Sequence, residues 1–268
     1  MERRAATNGV VYYFSPLLER RGVPHAFSTR VGGQSPPPFD SLNLGNPSGC
    51  ATQDDYGRIY ANYDLLQAAL RIGGRTRCWV HQVHGGAVVD VADDFESGVK
   101  ADAMVTTDAT KILAVRVADC VPVLLATDDG ARVAAIHAGW RGVIAGVVPA
   151  AVARFRVREP HRPDASIIAA IGPSISFDAF EVGPEVIEQF RQRFSTDAPV
   201  GMRDDGKGHV DLRAAIALQL QRAGVAREDI DISDRCTVRD RDEFFSHRRD
   251  AGVTGRMAAL ISPADNDR

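Results

Sequence analysis

The sequence predicts a mixed α/β fold: mixed β-sheets flanked by helices, built as a single domain over residues 1–268. Three observations carry this. Short runs rich in Val, Ile and Ala alternate with runs whose apolar residues recur at helical spacing. Two of the short runs, "VPVLLAT" and "ARVAAIH", are apolar on both faces, which suits a covered sheet. No repeat of fixed period and no clean linker interrupts the 268 residues, a length that buries a large core.

Taken in order, the start "MERRAATNGVVYYF" is charged and lacks an apolar h-region, so it does not read as a secretory leader. "PHAFSTRVGGQSPPPFDSLNLGNPSG" (24–49) is rich in Gly, Pro and Ser and predicts one long loop. Ile59, Tyr60, Tyr63, Leu65, Leu66 and Leu70 predict a helix, with Gly73-Gly74 as its C-cap. "CWVHQVHGGAVVDV" predicts two short strands joined through His84-Gly85-Gly86, and "KILAVRVADC" a third. "RGVIAGVVPAAVARF" predicts a helix weakened or kinked by Gly146 and Pro149. "ASIIAAIGPSI" and "GRMAALIS" read as strands. "GPEVIEQFRQRF" reads as a helix with Pro184 in its first turn, and "DLRAAIALQLQRAGV" as a helix ending at Gly224.

Composition excludes several classes. There are 32 basic and 35 acidic residues, a net charge of −3, and no long basic block, which gives nucleic acid no support as a partner. No apolar run approaches the roughly 20 residues that cross a bilayer, so no membrane role is expected. The cysteines (Cys50, Cys78, Cys120 and Cys236) are far apart and form no CxxC, as in a reducing cytoplasm without disulfides.

The two doubly apolar runs predict a hairpin. A turn at Thr127–Gly130 pairs Ala126 with Ala131 and sets Cys120 directly opposite His137. Opposed Cβ atoms lie about 4.5–5.5 Å apart. That suits a thiolate and an imidazole on one metal, with bonds of about 2.3 and 2.0 Å, and equally a Cys–His hydrogen bond. It also suits a buried cysteine acting as a small hydrophobe. A third partner is His84, whose neighbours Gly85 and Gly86 leave room for its ring; His81 competes. Three protein ligands leave a tetrahedral position open, the pattern of a catalytic zinc.

At these residues the sequence resembles a known family. "QVHGG", "ADAMVTTD", "VADCVPVLLA", "AIHAGWRG", "AIGPSIS", "FEVG", "CTVRDRDEFFSHRRD" and "TGRMAALI" occur in the order of the YfiH-like proteins. These are also called laccase-domain or polyphenol-oxidase proteins, or purine nucleoside phosphorylases. The resemblance implies an α/β domain of mixed sheets, similar to cysteine-hydrolase toxins of the cytotoxic-necrotizing-factor type. It implies one zinc on His84, Cys120 and His137. It implies phosphorolysis of adenosine, inosine, guanosine and S-methyl-5′-thioadenosine, with adenosine deamination beside it. Copper-dependent phenol oxidation and peptidoglycan editing are also attached to the family. This chain departs from the pattern at Asn62-Tyr63, where Asn-Arg is common, at Gly49-Cys50, where Gly-Asp is common, and at His247, where Tyr is usual.

The residues test these chemistries unevenly. A multicopper oxidase needs a histidine-rich trinuclear cluster; beyond His84 and His137 the chain has only His25, His81, His161, His209 and His247, scattered and without an HxH pair. A Cys/His/His site can still take up copper, which outcompetes zinc for nitrogen and sulfur ligands. The usual zinc deaminase design needs H-x-E and P-C-x-x-C, and neither is present. Asp119 is the candidate proton shuttle, provided that 118–120 is kinked. Phosphate is expected on Arg30, Arg141, Arg248 and Arg249, with the backbone of "HAGWRG" beside it. Asn43 is a candidate substrate ligand, Asp102 a carboxylate orienting a ligand histidine, and Glu181 a helix-start carboxylate. Trp140, Phe244 and Phe245 are candidates for base stacking. A metal-free cysteine hydrolase, with Cys120 as nucleophile and His137 as base, stays open. So does a closed structural metal site with His81 as fourth ligand.

Overall fold

The computed structural model describes residues 1–157, 165–203 and 205–265; His161 lies outside them. Among the described residues the strands form two six-stranded sheets and one three-stranded sheet. The first sheet runs β1 (Glu2–Ala5), β2 (Val11–Phe14), β3 (His25–Ser28), β15 (Met257–Ile261), β7 (Lys111–Val117), β4 (Thr76–Trp79). The second runs β14 (Ile230–Ile232), β10 (Ile167–Ile171), β8 (Val121–Thr127), β9 (Val133–Ala138), β6 (Ala103–Thr106), β5 (Val88–Asp90). Both are antiparallel in the middle and acquire parallel pairs at their edges, β4 on β7, β10 on β14 and β5 on β6. A small third sheet of β11 (Glu181–Val182), β13 (Gly208–Val210) and β12 (Val200–Met202) packs on the helical side of the second, with Val210 in the same core.

Side-chain alternation shows how the layers stack. On β7, Leu113, Val115 and Val117 join a core with Leu124 and Ala126 of β8 and Val133 and Ala135 of β9, so the two large sheets pack face to face. The opposite face of β7, Ile112 and Ala114, packs under α2 (Tyr56–Ala69) with Ile59, Tyr63 and Leu66. The opposite face of β8 and β9, with Val123, Leu125, Ala134 and Ile136, is covered by α3 (Trp140–Ala145), α4 (Val147–Val157), α5 (Pro184–Phe194) and α6 (Leu212–Arg222). A one-turn helix, α1 (Pro16–Glu19), joins β2 to β3.

Local sequence accounts for most element ends. Asp55 and Asp211 cap α2 and α6, each carboxylate accepting a backbone N–H three residues on. The helix expected from Arg141 onward breaks at Gly146, whose φ of +80° ends α3 and starts α4; Pro149 lies inside the first turn of α4 and leaves the path unbroken. The C-cap of α2 differs from expectation: the helix stops at Leu70 and Arg71, not a glycine, takes the left-handed turn at φ 59°. The segment 24–49 is not all loop, because its first residues, "HAFS", form β3 between β2 and β15. Glycine- and proline-rich composition downstream masked a short, fully buried strand.

The 76–90 segment is the more consequential difference. Its strands, β4 and β5, do not form a hairpin but belong to different sheets. Residues 80–87, containing QVHGG, therefore carry the chain from the first sheet to the second. Residues 118–120 do the same between β7 and β8.

Candidate functional site

The two crossings meet the end of β9. His137 shares its face with Val133 and Ala135, so its ring points into the space between the sheets, at their open end. The hairpin register differs from expectation by two residues: Pro122, not Cys120, pairs with His137. The turn is Asp128–Ala131, because the Thr127 hydroxyl accepts the Arg132 N–H and draws Thr127 into the strand. A two-residue shift keeps every side chain on its face. Cys120 still reaches His137, from the connector rather than the strand, because Asp119 turns the chain with φ +87°.

The ligand-type atoms of His84, Cys120 and His137 all lie within 4.8 Å of one another. The His84 and His137 rings meet edge to face with centroids 4.8 Å apart. Among the described residues this is the one group of His, Cys, Asp or Glu side chains so placed, and His81 is not in it. Tetrahedral bonds of about 2.0–2.3 Å put ligand atoms about 3.5 Å apart, so the donor set fits one soft-to-borderline ion. Gly139 makes room for it: a Cβ there would lie 2.6 Å from His84 Nδ1 and 3.1 Å from Cys120 Sγ.

Asp102 organises the cluster. It is fully buried and accepts from His137 Nδ1 at 2.8 Å, which leaves Nε2 of that ring facing the cluster. The same carboxylate accepts backbone N–H groups from Val83 (3.2 Å), His84 (2.9 Å) and Gly85 (2.6 Å). That grip holds His84 in a left-handed conformation, φ 58°, which costs a β-carbon-bearing residue about 1–2 kcal/mol. Gln82 fixes the crossing from the other side, its amide exchanging two hydrogen bonds with the Arg116 backbone at 2.7 and 2.8 Å.

Electrostatics follow from this geometry. Burial alone would raise the Cys120 thiol; the charge and hydrogen bond of His137, with help from His84, bring it down to about 6. Burial alone would lower His137; the Cys120 thiolate and Asp102 raise it to about 9. Burial likewise works to raise Asp102, and its bonds to His137 and Gly85 hold it below the ordinary carboxylate range. Near neutral pH the metal-free site is therefore a thiolate–imidazolium pair backed by a carboxylate.

The cluster opens into a cavity of about 280 Å³ lined by His81, Gln82, Arg116, His247 and Arg256 as well as the trio. Arg116 and Arg256 were not anticipated. Arg116 is a charge one residue from the end of the otherwise apolar β7, and nothing local ties it to a cleft.

The anticipated phosphate and substrate groups lie elsewhere. Arg30 spends its guanidinium on Asp40 (3.0 Å), the Asp40 carbonyl (2.7 Å) and the Arg241 carbonyl (3.3 Å). Arg141 lies over Trp140, 4.3 Å from its centroid, on a separate surface cavity with Ile144 and Glu185. The Arg248 guanidinium donates to the Glu181 carbonyl, and Arg249 to Asp250 and the carbonyls of Thr237 and Phe244. Asn43 is fully buried; its amide donates to Asp54 and accepts the N–H groups of Gly45 and Arg256, so it sets the backbone beneath Arg256 rather than touching the cavity. The kink needed for Asp119 exists, but its carboxylate accepts from the Thr237 hydroxyl (2.6 Å) and the Arg248 N–H (2.7 Å) and does not line the cavity. Glu181 pairs with Arg203 and Lys207. Phe244 and Phe245 are fully buried in the core between the sheets.

Two face-packed mixed sheets, with a histidine–cysteine–histidine cluster where the chain crosses between them, define the class. The chain belongs to the family described as multi-copper polyphenol oxidoreductase laccase, which matches residues 24–264. It is 40% identical over 242 residues to purine nucleoside phosphorylase YfiH of Escherichia coli K12, covering 90% of this chain and 94% of that protein. It is 39% identical over 252 residues to a purine nucleoside phosphorylase of Deinococcus radiodurans, covering 92% of each. The crystal structure of YlmD from Geobacillus stearothermophilus superposes with a TM-score of 0.86 at 32% identity, covering 98% of this chain and 99% of that one.

Proposed function

We propose that the protein is a zinc-dependent purine nucleoside phosphorylase acting on adenosine, inosine, guanosine and S-methyl-5′-thioadenosine, with adenosine deamination as a side activity. The observation that carries this reading is the His84–Cys120–His137 cluster opening into an arginine-lined cavity with no carboxylate in its wall. The relatives named purine nucleoside phosphorylase support the substrate class. His84, Cys120 and His137 would hold the ion, which supplies Lewis acidity and an open coordination position. Copper is the competitor for the same donors, but one three-residue group among the described residues falls short of a multicopper oxidase.

The chain's own groups divide the work. Arg116 grips phosphate with its guanidinium fork, and Arg256, whose Nη1 donates to the Thr254 and Gly255 carbonyls, adds its remaining donors and its charge. Phosphate oxygen bonds to C1′ of the ribose as the C1′–N9 bond breaks, and the leaving base takes a proton. His81 and His247, exposed on the cavity wall, are the titratable groups placed to deliver it. Asp102 orients His137 and His84. Asp119 positions the connector that carries Cys120 and replaces the shuttle role expected of it. The four cysteines are unpaired, which supports a place in the reducing cytoplasm; no helix among the described residues is long and apolar enough to cross a membrane.

The test pairs metal content by mass spectrometry with release of adenine from adenosine, with and without phosphate. One zinc per chain and phosphate-dependent adenine support the reading; His84→Ala should abolish both. A second reading rests on the thiolate–imidazolium–carboxylate line Cys120–His137–Asp102, which matches a cysteine hydrolase. No metal, no base release and rapid alkylation of Cys120 would favour it.

A further inference from the structure

A second cavity of about 440 Å³ adjoins the first and shares Asn46, Ser48, His81 and Arg116 with it. The inner cavity's 280 Å³ sits at the lower edge of the roughly 300–1,000 Å³ that ligand sites occupy, and the outer one continues it with room for a substituent on a bound nucleoside. The outer wall has an unusual charge. Across both cavities the lining includes Arg77, Arg116 and Arg256, four histidines and no Asp or Glu. The chain as a whole carries −3, so this cleft is a local cationic basin in an acidic protein.

Arg77 is the group not explained by the proposed reaction. Its guanidinium lies 3.8 Å from the centroid of the buried Tyr63 ring and 5.5 Å from that of Tyr60. Arg116 lies 5.4 Å from the centroid of Trp79. Stacking holds a guanidinium plane in place while leaving its in-plane N–H donors free, the arrangement that grips phosphoryl oxygens. Two guanidiniums on one cavity with no acid in its wall repel each other until an anion enters.

We propose that the outer cavity is a subsite for the phosphoryl group of a nucleoside 5′-phosphate, held by Arg77, distinct from the inorganic phosphate held at Arg116 and Arg256. The inference rests on the phosphorylase reading and extends its substrates to nucleotides. Trp79 reports on the subsite. The experiment is a fluorescence titration in a Trp140→Phe background, which leaves Trp79 as the one tryptophan, with AMP, adenosine and inorganic phosphate as ligands. AMP is expected to bind at least tenfold more tightly than adenosine, as charge-assisted bonds to one arginine allow. Saturating phosphate should not remove that advantage. Arg77→Met should abolish it without changing adenosine affinity, and Arg77→Lys should retain part of it.

Equal affinity for AMP and adenosine overturns the proposal. So does loss of the AMP advantage in saturating phosphate, which would place the AMP phosphoryl group at the inner site. An Arg77→Met protein that weakens both ligands alike would make Arg77 a structural residue and overturn it too. Adenosine that is bound and cleaved while AMP gains nothing removes the subsite and spares the phosphorylase. Adenosine neither bound nor cleaved removes the phosphorylase.

Discussion

Asp102→Asn is the sharpest test of how the site is held. Oδ1 accepts from His84 N–H and His137 Nδ1, and Oδ2 from Val83 and Gly85 N–H. An amide keeps the shape but turns one oxygen into a donor. With its NH₂ at the Oδ2 position it faces the Val83 and Gly85 N–H groups; at the Oδ1 position it faces the His84 N–H and makes His137 give up its Nδ1 proton, so two charge-assisted bonds are lost either way. Hydrogen bonds to a charged partner contribute about 1.5–3 kcal/mol each, so losing two costs about 3–6 kcal/mol. Stability of a domain is only about 5–15 kcal/mol, so the effect is easily read. The assay is urea unfolding of chelator-treated protein at pH 7, with a zinc competition titration on the folded fraction. The urea midpoint should fall well below wild type. Zinc affinity should drop about 10–100-fold, the usual loss when a ligand histidine's partner is removed. An unfolding free energy within about 1 kcal/mol of wild type, with zinc affinity unchanged, would refute the view that this carboxylate ties His84 and His137 together.

Gly139→Ala should fold normally, because φ is −72° there, yet lose zinc, since its Cβ would fall 2.6 Å from His84 Nδ1; full zinc stoichiometry in the variant would contradict this. Alkylation of Cys120 in metal-free protein should follow a thiolate with a pKa of about 6, slowing as pH falls through 6; a midpoint above 8 would remove the ion pair with His137. Burial holds His25 neutral, down to about 4, its ring accepting from Ser15 N–H and donating to the Val23 carbonyl. The unfolded chain protonates His25 near 6.5, so this contribution is intact above 6.5 and lost as pH falls toward 4, about 2 kcal/mol of it by pH 5. His25→Gln should flatten the pH dependence of the urea midpoint, and an unchanged slope would sink the assignment. Arg116→Met should raise the KM for phosphate at least tenfold with little change in that for nucleoside; the reverse pattern would place Arg116 on the nucleoside.

The legibility of this protein in its sequence was uneven for physical reasons. Strands such as β8 and β9 announce themselves because burial on both faces leaves no polar alternation. Gly146 announces a helix break because few other residues take φ +80°. Cys120 and His137 come together although the expected register is two residues off, because the left-handed turn at Asp119 brings Cys120 back to the cluster from outside the strand. Asp102 was readable because a histidine on a metal wants a carboxylate behind it. The arginines were not. Arg30, Arg248 and Arg249 lie in sequence beside functional-looking motifs, but their guanidiniums close loops onto carbonyls. Arg116 sits near the end of an apolar strand and Arg256 just before β15, its Nη1 also on carbonyls, and only the packing of sheet against sheet shows that both face the cleft. The sheet switch between β4 and β5 had no local signal, because strand partners are chosen by distant segments.

That switch has a mechanical consequence. His84 and Cys120 both ride on segments that leave one sheet and enter the other, and His137 is fixed to the second sheet alone. The spacing of the three is thus gauged by the thickness of the apolar filling between the layers, about 10 Å in face-packed sheets. Val115 and Leu124, which touch no ligand, act as spacers in this gauge. A methylene added or removed there would change the aperture of the cleft from behind, tuning the chemistry without altering any residue that performs it.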